Sequence, residues 1–522
     1  MSTLLARITA STRAISLATA ASRILGFVRD LLIARLFGTG AQAQAFVVAF
    51  RFPNLLRDLV GEGAVTSAIV PVLSATKATR SPEAFWHVVA ASCVRVAVVA
   101  GVLGCVGIVA APWLVRLMAP GFLQDPEKFA LTVRLTRILF PFLTLVAVWA
   151  FLGGVLNSVH RFGLPAAGPV VLNLVMIAGC LWVAPRVEPP VIGVVWAVMA
   201  GGLAQVMMLL PTSFAVGFRW QWVWRDPAAS EMGRLLMPRL FGTAVYQAAV
   251  FLNTILASLP LAGAGAVAAL YFANRLVQLP LALFATASSQ ASLPMLSERA
   301  AVNDLGTFRA TLTGVLRLVL CESLPAAVGL FLLATPIIHV CFQRGAFDVS
   351  STLITASALR WLTIGLLAYA ATKVLTSAFY ALKDTRTPVR LAAEALVVNG
   401  LLAVALLPVM QVAGLAFATA VSSLLNAWRL LRALERRLGG ALWPNLTGLF
   451  WRVSLASAIM GAGCWMMWQQ LTPHLSPLVA LSVTIGSGIV IYGLTCAALH
   501  VTELTSIVRW VRAPNPQPSS SG

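Results

Sequence analysis

Charge is what this sequence has least of. Only 10% of its 522 residues are Asp, Glu, Lys or Arg, and 17 acids face 37 bases. Soluble globular chains carry about 25% charged residues, so an ordinary water-facing surface cannot be built here. With 59% hydrophobic residues and a mean hydropathy of +0.88, the chain reads as a polytopic membrane protein. Histidine and cysteine are equally unhelpful to chemistry. The five histidines (87, 160, 339, 474 and 500) show no pair at ligand spacing, and the seven cysteines (93, 105, 180, 321, 341, 464 and 496) stand singly without a CxxC. A metal site or redox pair therefore has no support, and the cysteines read as small core residues. No cofactor is called for.

Further absences narrow the function. There is no GxxxxGK[ST] loop to cradle nucleotide phosphates, which argues against an ATP-driven pump. Neither clustered carboxylates for Mg²⁺ nor a His/Asp phosphatase motif occurs, so an enzyme acting on polyprenyl phosphate is disfavoured. No basic soluble module exists, and nucleic acid is excluded as a partner. The first 13 residues lack the pattern of a cleavable signal, so the first span is expected to stay as an anchor.

What is present is a series of apolar runs broken by Gly, Pro and charge. They predict spans near 14–37, 42–74, 86–117, 129–159, 165–184, 191–216, 234–259, 265–296, 308–341, 352–381, 388–407, 412–430, 449–470 and 476–500, about fourteen transmembrane helices in an all-α protein. Lys and Arg in alternate connections number 20 on one side, from Arg7 and Arg13 through Arg509 and Arg512. The other side holds only Arg116, Lys128, Arg186 and Arg344. The positive-inside rule then puts both termini in the cytoplasm. The net charge of +20 thus reports topology and contact with anionic membrane lipids.

The chain also repeats itself. SAIVPVLSAT (67–76) resembles QASLPMLSER (290–299), with Pro71 and Pro294 223 residues apart, and Pro165 and Pro388 share that offset. Pro112 and Pro336 are offset by 224, as are Gly121 and Gly345. Such an offset corresponds to six spans, so the two copies run parallel and a cavity is expected between them. The resulting division is 1–217 (spans 1–6), 218–440 (spans 7–12), 441–510 (spans 13 and 14) and a polar tail at 511–522.

Charges nonetheless occur at membrane depth, where each costs at least about 2.5 kcal/mol and so tends to face a cavity or a partner. Span 1 carries Arg23, Arg29 and Asp30, while span 2 carries Arg51, Arg57, Asp58 and Glu62. Arg23 and Asp30, seven apart, share a helix face, as do Arg51, Asp58 and Glu62. Gly26 and Pro53 lie beside them, where they can open the helices and free backbone groups toward a wet cavity. Span 8 adds Arg275 and Asn274, and span 10 adds Lys373; Asn54 joins the polar set of span 2. The plainer reading of Asp30, Asp58 and Glu62 is structural ion pairing between helices. The arginines outnumber these acids, which points to an anion that comes and goes. Guanidinium forks match phosphate oxygens, so a phosphate or pyrophosphate headgroup is the natural guest.

SRILGFVRD, AFRFPNLLRDLVGEGAVTSAIVPVL, APGF, LNSVHRFGLPA, NRLVQLP and KVLTSAFYALKDTRTP together resemble the MurJ/MviN lipid II flippase family of the multidrug/oligosaccharidyl-lipid/polysaccharide exporter superfamily. The resemblance covers essentially the whole chain up to the polar tail. It implies two six-helix lobes around a central cationic cavity, with alternating access and no catalytic chemistry. The implied substrate is undecaprenyl-pyrophosphoryl-MurNAc-pentapeptide-GlcNAc (lipid II), carried from the cytoplasmic to the periplasmic leaflet of a bacterial inner membrane for peptidoglycan synthesis. Matched residue by residue, it implies pyrophosphate contacts from Arg23, Arg29, Arg51, Arg57 and Arg275, and cavity or gating roles for Asp30, Asn54, Glu62, Asn274 and Lys373. The polyprenyl tail would stay in lipid, along a groove formed by spans 13 and 14, and cell-wall synthesis proteins are candidate partners. The sequence departs from the family pattern at Gln44, Asn274 and Gln278, where acids are expected, so no ion site is carried over. A flippase for another undecaprenyl-pyrophosphate-linked glycan, of O-antigen or capsule type, is the closest alternative. A multidrug cation exporter would want an acidic or aromatic cavity instead. On this reading Arg29→Ala or Arg57→Ala abolishes transport with the fold intact, whereas Arg429→Ala, placed in a loop, is mild.

Overall fold

A computed structural model describes the backbone of residues 2–59, 65–79, 81–224 and 226–503; side chains are described for these residues except 2–14, 55–59, 65–68, 70, 71, 78, 228, 233–246 and 284. Every regular element among them is helical. In chain order they are α1 (Ser2–Phe37), α2 (Ala41–Leu59), α3 (Val65–Thr79), α4 (Pro82–Met118), α5 (Pro126–Leu139), α6 (Phe142–Ser158), α7 (Gly163–Ala178), α8 (Pro190–Ala215) and α9 (Pro227–Ser258). There follow α10 (Ala266–Pro280), α11 (Thr286–Ala301), α12 (Leu305–Leu332), α13 (Ala334–Phe342), α14 (Val349–Thr363), α15 (Leu366–Ala381), α16 (Arg386–Leu438), α17 (Pro444–Leu471) and α18 (Pro477–Ala498).

The local chemistry of the ends is conventional. Ser81 accepts from the Ala84 amide with Pro82 opening α4, Asp125 accepts from Lys128 N–H at 3.0 Å before α5, and Asp304 accepts from Thr307 N–H at 3.0 Å before α12. Each satisfies a donor that the first turn cannot pair within the helix. The breaks have equally local causes. The expected 129–159 span divides at Phe140–Pro141, because proline gives the ladder no amide. The 352–381 span bends by 47° between α14 and α15. Spans expected at 388–407 and 412–430 run on as α16, interrupted only where Gln411 takes φ 52°, ψ −133°.

Among the described residues nine helical segments are long and apolar enough to cross a membrane, or ten if α14 with α15 is one span. The charge-bearing α1 and α2 are not among them. The protein is an all-α, multi-pass membrane protein whose lipid-facing surface is plain on α4, where Val99, Val102, Val106, Val109, Trp113 and Leu117 form an exposed apolar stripe at helical spacing.

Contacts divide the chain into two compact units, 1–268 with 344–348, and 269–343 with 349–522. In the first, α3, α4 and α6 close a core around Leu73, Phe85, Val89, Phe151 and Val155. In the second, one core gathers Phe308, Leu312, Val374, Phe379 and Leu434 from α12, α15 and α16. The α17–α18 pair packs against α12 in a second core, pinned by Tyr492 Oη donating to the Cys321 carbonyl at 2.7 Å.

Candidate functional site

Within the first unit the charged stretch of α1 faces α7. Ser22, Gly26 and Arg29, at four- and three-residue steps, meet one side chain, Asn173. Gly26 permits the approach, since a Cβ there would stand 3.4 Å from Asn173 Nδ2. Arg29 is 3% exposed and Asp30 0%. Arg29 Nε and Nη2 donate to Asp30 Oδ1 at 3.0 and 2.8 Å, and Nη1 donates to Asn173 Oδ1 at 2.9 Å. Asn173 Nδ2 in turn donates to the Ser22 carbonyl at 3.0 Å. At this depth the pair removes most of the electrostatic cost that either ion would carry alone. Arg29 is therefore held by its neighbours, and its replacement cannot leave the surroundings untouched.

Asn173 was not singled out from the sequence. The only available signal is one amide in the apolar run PVVLNLVMIAG of α7, and only the packed structure supplies its partners.

Arg23 lies on the same helix yet is exposed. A seven-residue spacing puts it on the side of the helix that carries Asp30, yet Asp30 is buried and Arg23 is not. On α2, Arg51 is half-buried beside Phe50 and Phe52: Phe50 meets Phe142 of α6 at a tilt, 6.3 Å centroid to centroid, and Phe52 stacks on Phe140, just past the end of α5, at 5.8 Å. The Asn54 side-chain oxygen is buried with no hydrogen-bond partner among the described residues. Pro53 is buried one residue before it. The side chain of Arg57 and the whole of Glu62 lie outside the described residues.

The second unit holds the remaining candidates. Arg275 is half-buried on α10, its Nη2 3.4 Å from Tyr271 Oη and its guanidinium carbon 5.7 Å from the Tyr271 ring centroid, a cation–π arrangement one helical turn apart. Asn274 and Gln278 are exposed beside it. Lys373 on α15 donates to Thr286 Oγ1 at 3.0 Å, and Ser289 bonds Ser377 at 2.7 Å along the same α11–α15 seam. Gln44, by contrast, is buried at the start of α2 in the first unit. Arg429 is not in a loop: it lies on α16 and meets Glu394 at 2.5 Å, so it is no neutral control. Among the described residues no three His, Cys, Asp or Glu side chains gather as a metal site would require.

In each unit the guanidinium and ammonium groups are of a chemistry that suits anions. Arg23 is exposed, Arg51 half-buried, Arg275 half-buried and Lys373 exposed, whereas Arg29 is buried and paired with Asp30.

A family profile described as "Lipid II flippase MurJ" matches residues 33–484. The lipid II flippase MurJ of Burkholderia cenocepacia is 35% identical over 453 residues, 86% of this chain and 87% of that protein. The probable lipid II flippase MurJ of Haemophilus influenzae is 34% identical over 460 residues, covering 85% and 89%. Among solved structures, an inward closed conformation of lipid II flippase MurJ aligns with a TM-score of 0.79 at 25% identity, over 94% of this chain and 99% of that one. An inward-facing multidrug resistance MATE family transporter of the MOP superfamily aligns with a TM-score of 0.69 at 14% identity, over 80% and 94%, a likeness of fold alone.

Proposed function

Given that the chain belongs to the lipid II flippase MurJ family, we propose that it moves lipid II from the cytoplasmic to the periplasmic leaflet of a bacterial inner membrane by alternating access. It is a transporter and not an enzyme, and its role is in peptidoglycan synthesis. The observation that carries the reading is the family match over residues 33–484, together with a run of intramembrane arginines whose chemistry suits a pyrophosphate.

The proposed architecture is fourteen spans, in two parallel six-helix lobes (1–217 and 218–440) around a cationic cavity, with 441–510 as an added pair and both termini cytoplasmic. The offset of 223–224 residues supports the lobes: Pro165 and Pro388 are each the third residue of their helices, α7 and α16. In this cavity Arg23, Arg51, Arg57 and Arg275 hold the pyrophosphate, since a guanidinium presents paired donors to two oxygens where an ammonium is a point charge. Arg29 contributes from within its pair with Asp30, whose carboxylate competes with the substrate for the same donors and so weakens binding enough for release. Asn54, Glu62, Asn274 and Lys373 are proposed to line or gate the path.

The test is complementation in cells depleted of their own lipid II flippase, comparing the wild-type chain with Arg23→Ala at matched expression. Rescue by wild type and failure of the variant support the reading. Failure of correctly inserted wild type points to another undecaprenyl-pyrophosphate-linked glycan, and rescue by both removes Arg23 from the site.

A further inference from the structure

Between α4 and α5 lies a crevice of about 450 Å³, walled by Pro112, Phe129, Val133 and Ile138 and carrying Arg134 and Arg137. A third guanidinium, Arg116, sits 5.9 Å from the centroid of the Phe129 ring. The transport reading uses none of these cations. Among the described residues none of the three faces a carboxylate within ion-pair distance. The nearby acid Asp125 is occupied by the Lys128 amide at 3.0 Å, and Glu127, in the first turn of α5, bonds none of them.

The sequence sets the level of Arg116 in the bilayer. Arg95 and Arg116 bracket twenty residues of α4 without Asp, Glu, Lys or Arg. At 1.5 Å per residue that stretch spans about the 30 Å of hydrocarbon. With α4 and α5 packed together through a short connection, Gly107 against the Phe140 ring, Arg134 and Arg137 sit about 5 and 9 Å further in than Arg116 along the axis, and their side chains lean toward the amino end of α5, back to the level of Arg116. Next to them the exposed Val106, Val109, Trp113 and Leu117 offer an apolar wall to acyl chains.

An arginine at a membrane boundary ordinarily snorkels to water singly. Here two arginines three residues apart line one apolar-walled recess with a third beside it, a concentration of positive charge just inside the boundary that Arg116 marks and within side-chain reach of lipid phosphates. We propose that this crevice binds the phosphate of an anionic glycerophospholipid of the surrounding bilayer, with Arg134 and Arg137 sharing the phosphodiester and Pro112, Phe129 and Val133 packing its upper acyl region. Such a lipid bridges α4 and α5 and steadies them without entering the transport path.

The test uses the purified full-length chain, delipidated and titrated with phosphatidylglycerol or with phosphatidylethanolamine of the same acyl chains, bound lipid being read by native mass spectrometry. Wild type should retain one phosphatidylglycerol in preference. The Arg134→Gln/Arg137→Gln variant should bind it about tenfold more weakly or worse, as expected for the loss of charge-assisted contacts. Arg436→Gln, an exposed cation on α16, should bind like wild type. Equal retention of both lipids, or equal binding by wild type and the double variant, overturns the proposal. So does retention by wild type that is indifferent to ionic strength, a measurement that does not depend on the variant folding. Displacement by millimolar inorganic phosphate, or by a short polyprenyl pyrophosphate but not by excess phosphatidylethanolamine, would reassign the crevice to free phosphate or to the transported lipid.

Discussion

The amide of Gly121 approaches Ser258, with its N–H 3.3 Å from Ser258 Oγ, and a Cβ at position 121 would run into the Ser258 carbonyl oxygen. The arrangement recurs 223–224 residues away: Gly345 stands against the Arg35 carbonyl, where a Cβ would come to 2.5 Å, and Ala346 N–H donates to that carbonyl at 2.9 Å. In both places a glycine loop seats on the carboxyl end of a long helix, α9 in one case and α1 in the other, because only a residue without a side chain lets the two backbones meet.

Gly345→Ala should therefore cost more than an ordinary surface substitution. Its φ of +63° and the Arg35 carbonyl both oppose a Cβ, and strain of this kind costs about 1–3 kcal/mol. Gly121→Ala should be comparable through sterics alone. Thermal unfolding of the purified variants checks this; melting temperatures equal to wild type would show that the loops yield freely.

Arg29→Ala should destabilise the protein as well as impair transport. It takes from Asp30, 0% exposed, the guanidinium that donates to it twice, and breaking a buried pair from one side costs about 3–5 kcal/mol. The double variant Arg29→Ala/Asp30→Ala should regain part of that stability while staying inactive. If the single and double variants melt together, the pair is not what holds α1 in place.

Arg23→Ala separates the two roles. Arg23 is exposed, and surface substitutions usually change stability by no more than about 0.5 kcal/mol. Complementation should fall while the melting temperature stays. Loss of both together would make Arg23 structural.

Asn173→Leu should loosen α1 from α7. It removes both hydrogen bonds through which the amide links Arg29 Nη1 to the Ser22 carbonyl, a loss of about 1–3 kcal/mol. Faster proteolysis or hydrogen exchange in residues 15–37 would report it, and unchanged protection there would refute it.

Asp384, between α15 and α16, supplies a pH signature. Burial pushes its carboxyl up, but the amide and hydroxyl of Thr387, the charge of Arg437 and the Arg386 amide together outweigh that and hold it below its ordinary 3.8. A carboxyl depressed on folding contributes stability that is fully present above its unfolded pKa and disappears as pH falls through the lower folded value. Wild type should thus lose stability between about pH 4 and more acidic conditions, and Asp384→Asn should be weaker at neutral pH with a flatter acid limb. Parallel pH profiles of melting temperature for the two proteins would remove Asp384 as the cause.

Much of this was determined by the sequence alone. The scarcity of charge required a membrane fold, because apolar helices satisfy their own backbone in lipid. Capping Ser or Asp residues set the starts of three helices, at Ser81, Asp125 and Asp304. The motifs of α1 and α2 identified the family that the profile match bears out. Local chemistry also carried the proline pairs that expose the repeat. What only the tertiary structure decided is which charges meet. Spacing placed Arg23, Arg29 and Asp30 on one short helix stretch, yet nothing local distinguishes the exposed Arg23 from the buried, paired Arg29. That distinction depends on α7 arriving 144 residues later in the chain with Asn173. It equally took packing to turn Arg429 from a loop residue into the partner of Glu394, and to set Arg134 and Arg137 around a recess. Periodicity reports the direction in which a side chain leaves its helix; burial and partnership depend on what the rest of the chain brings to that side.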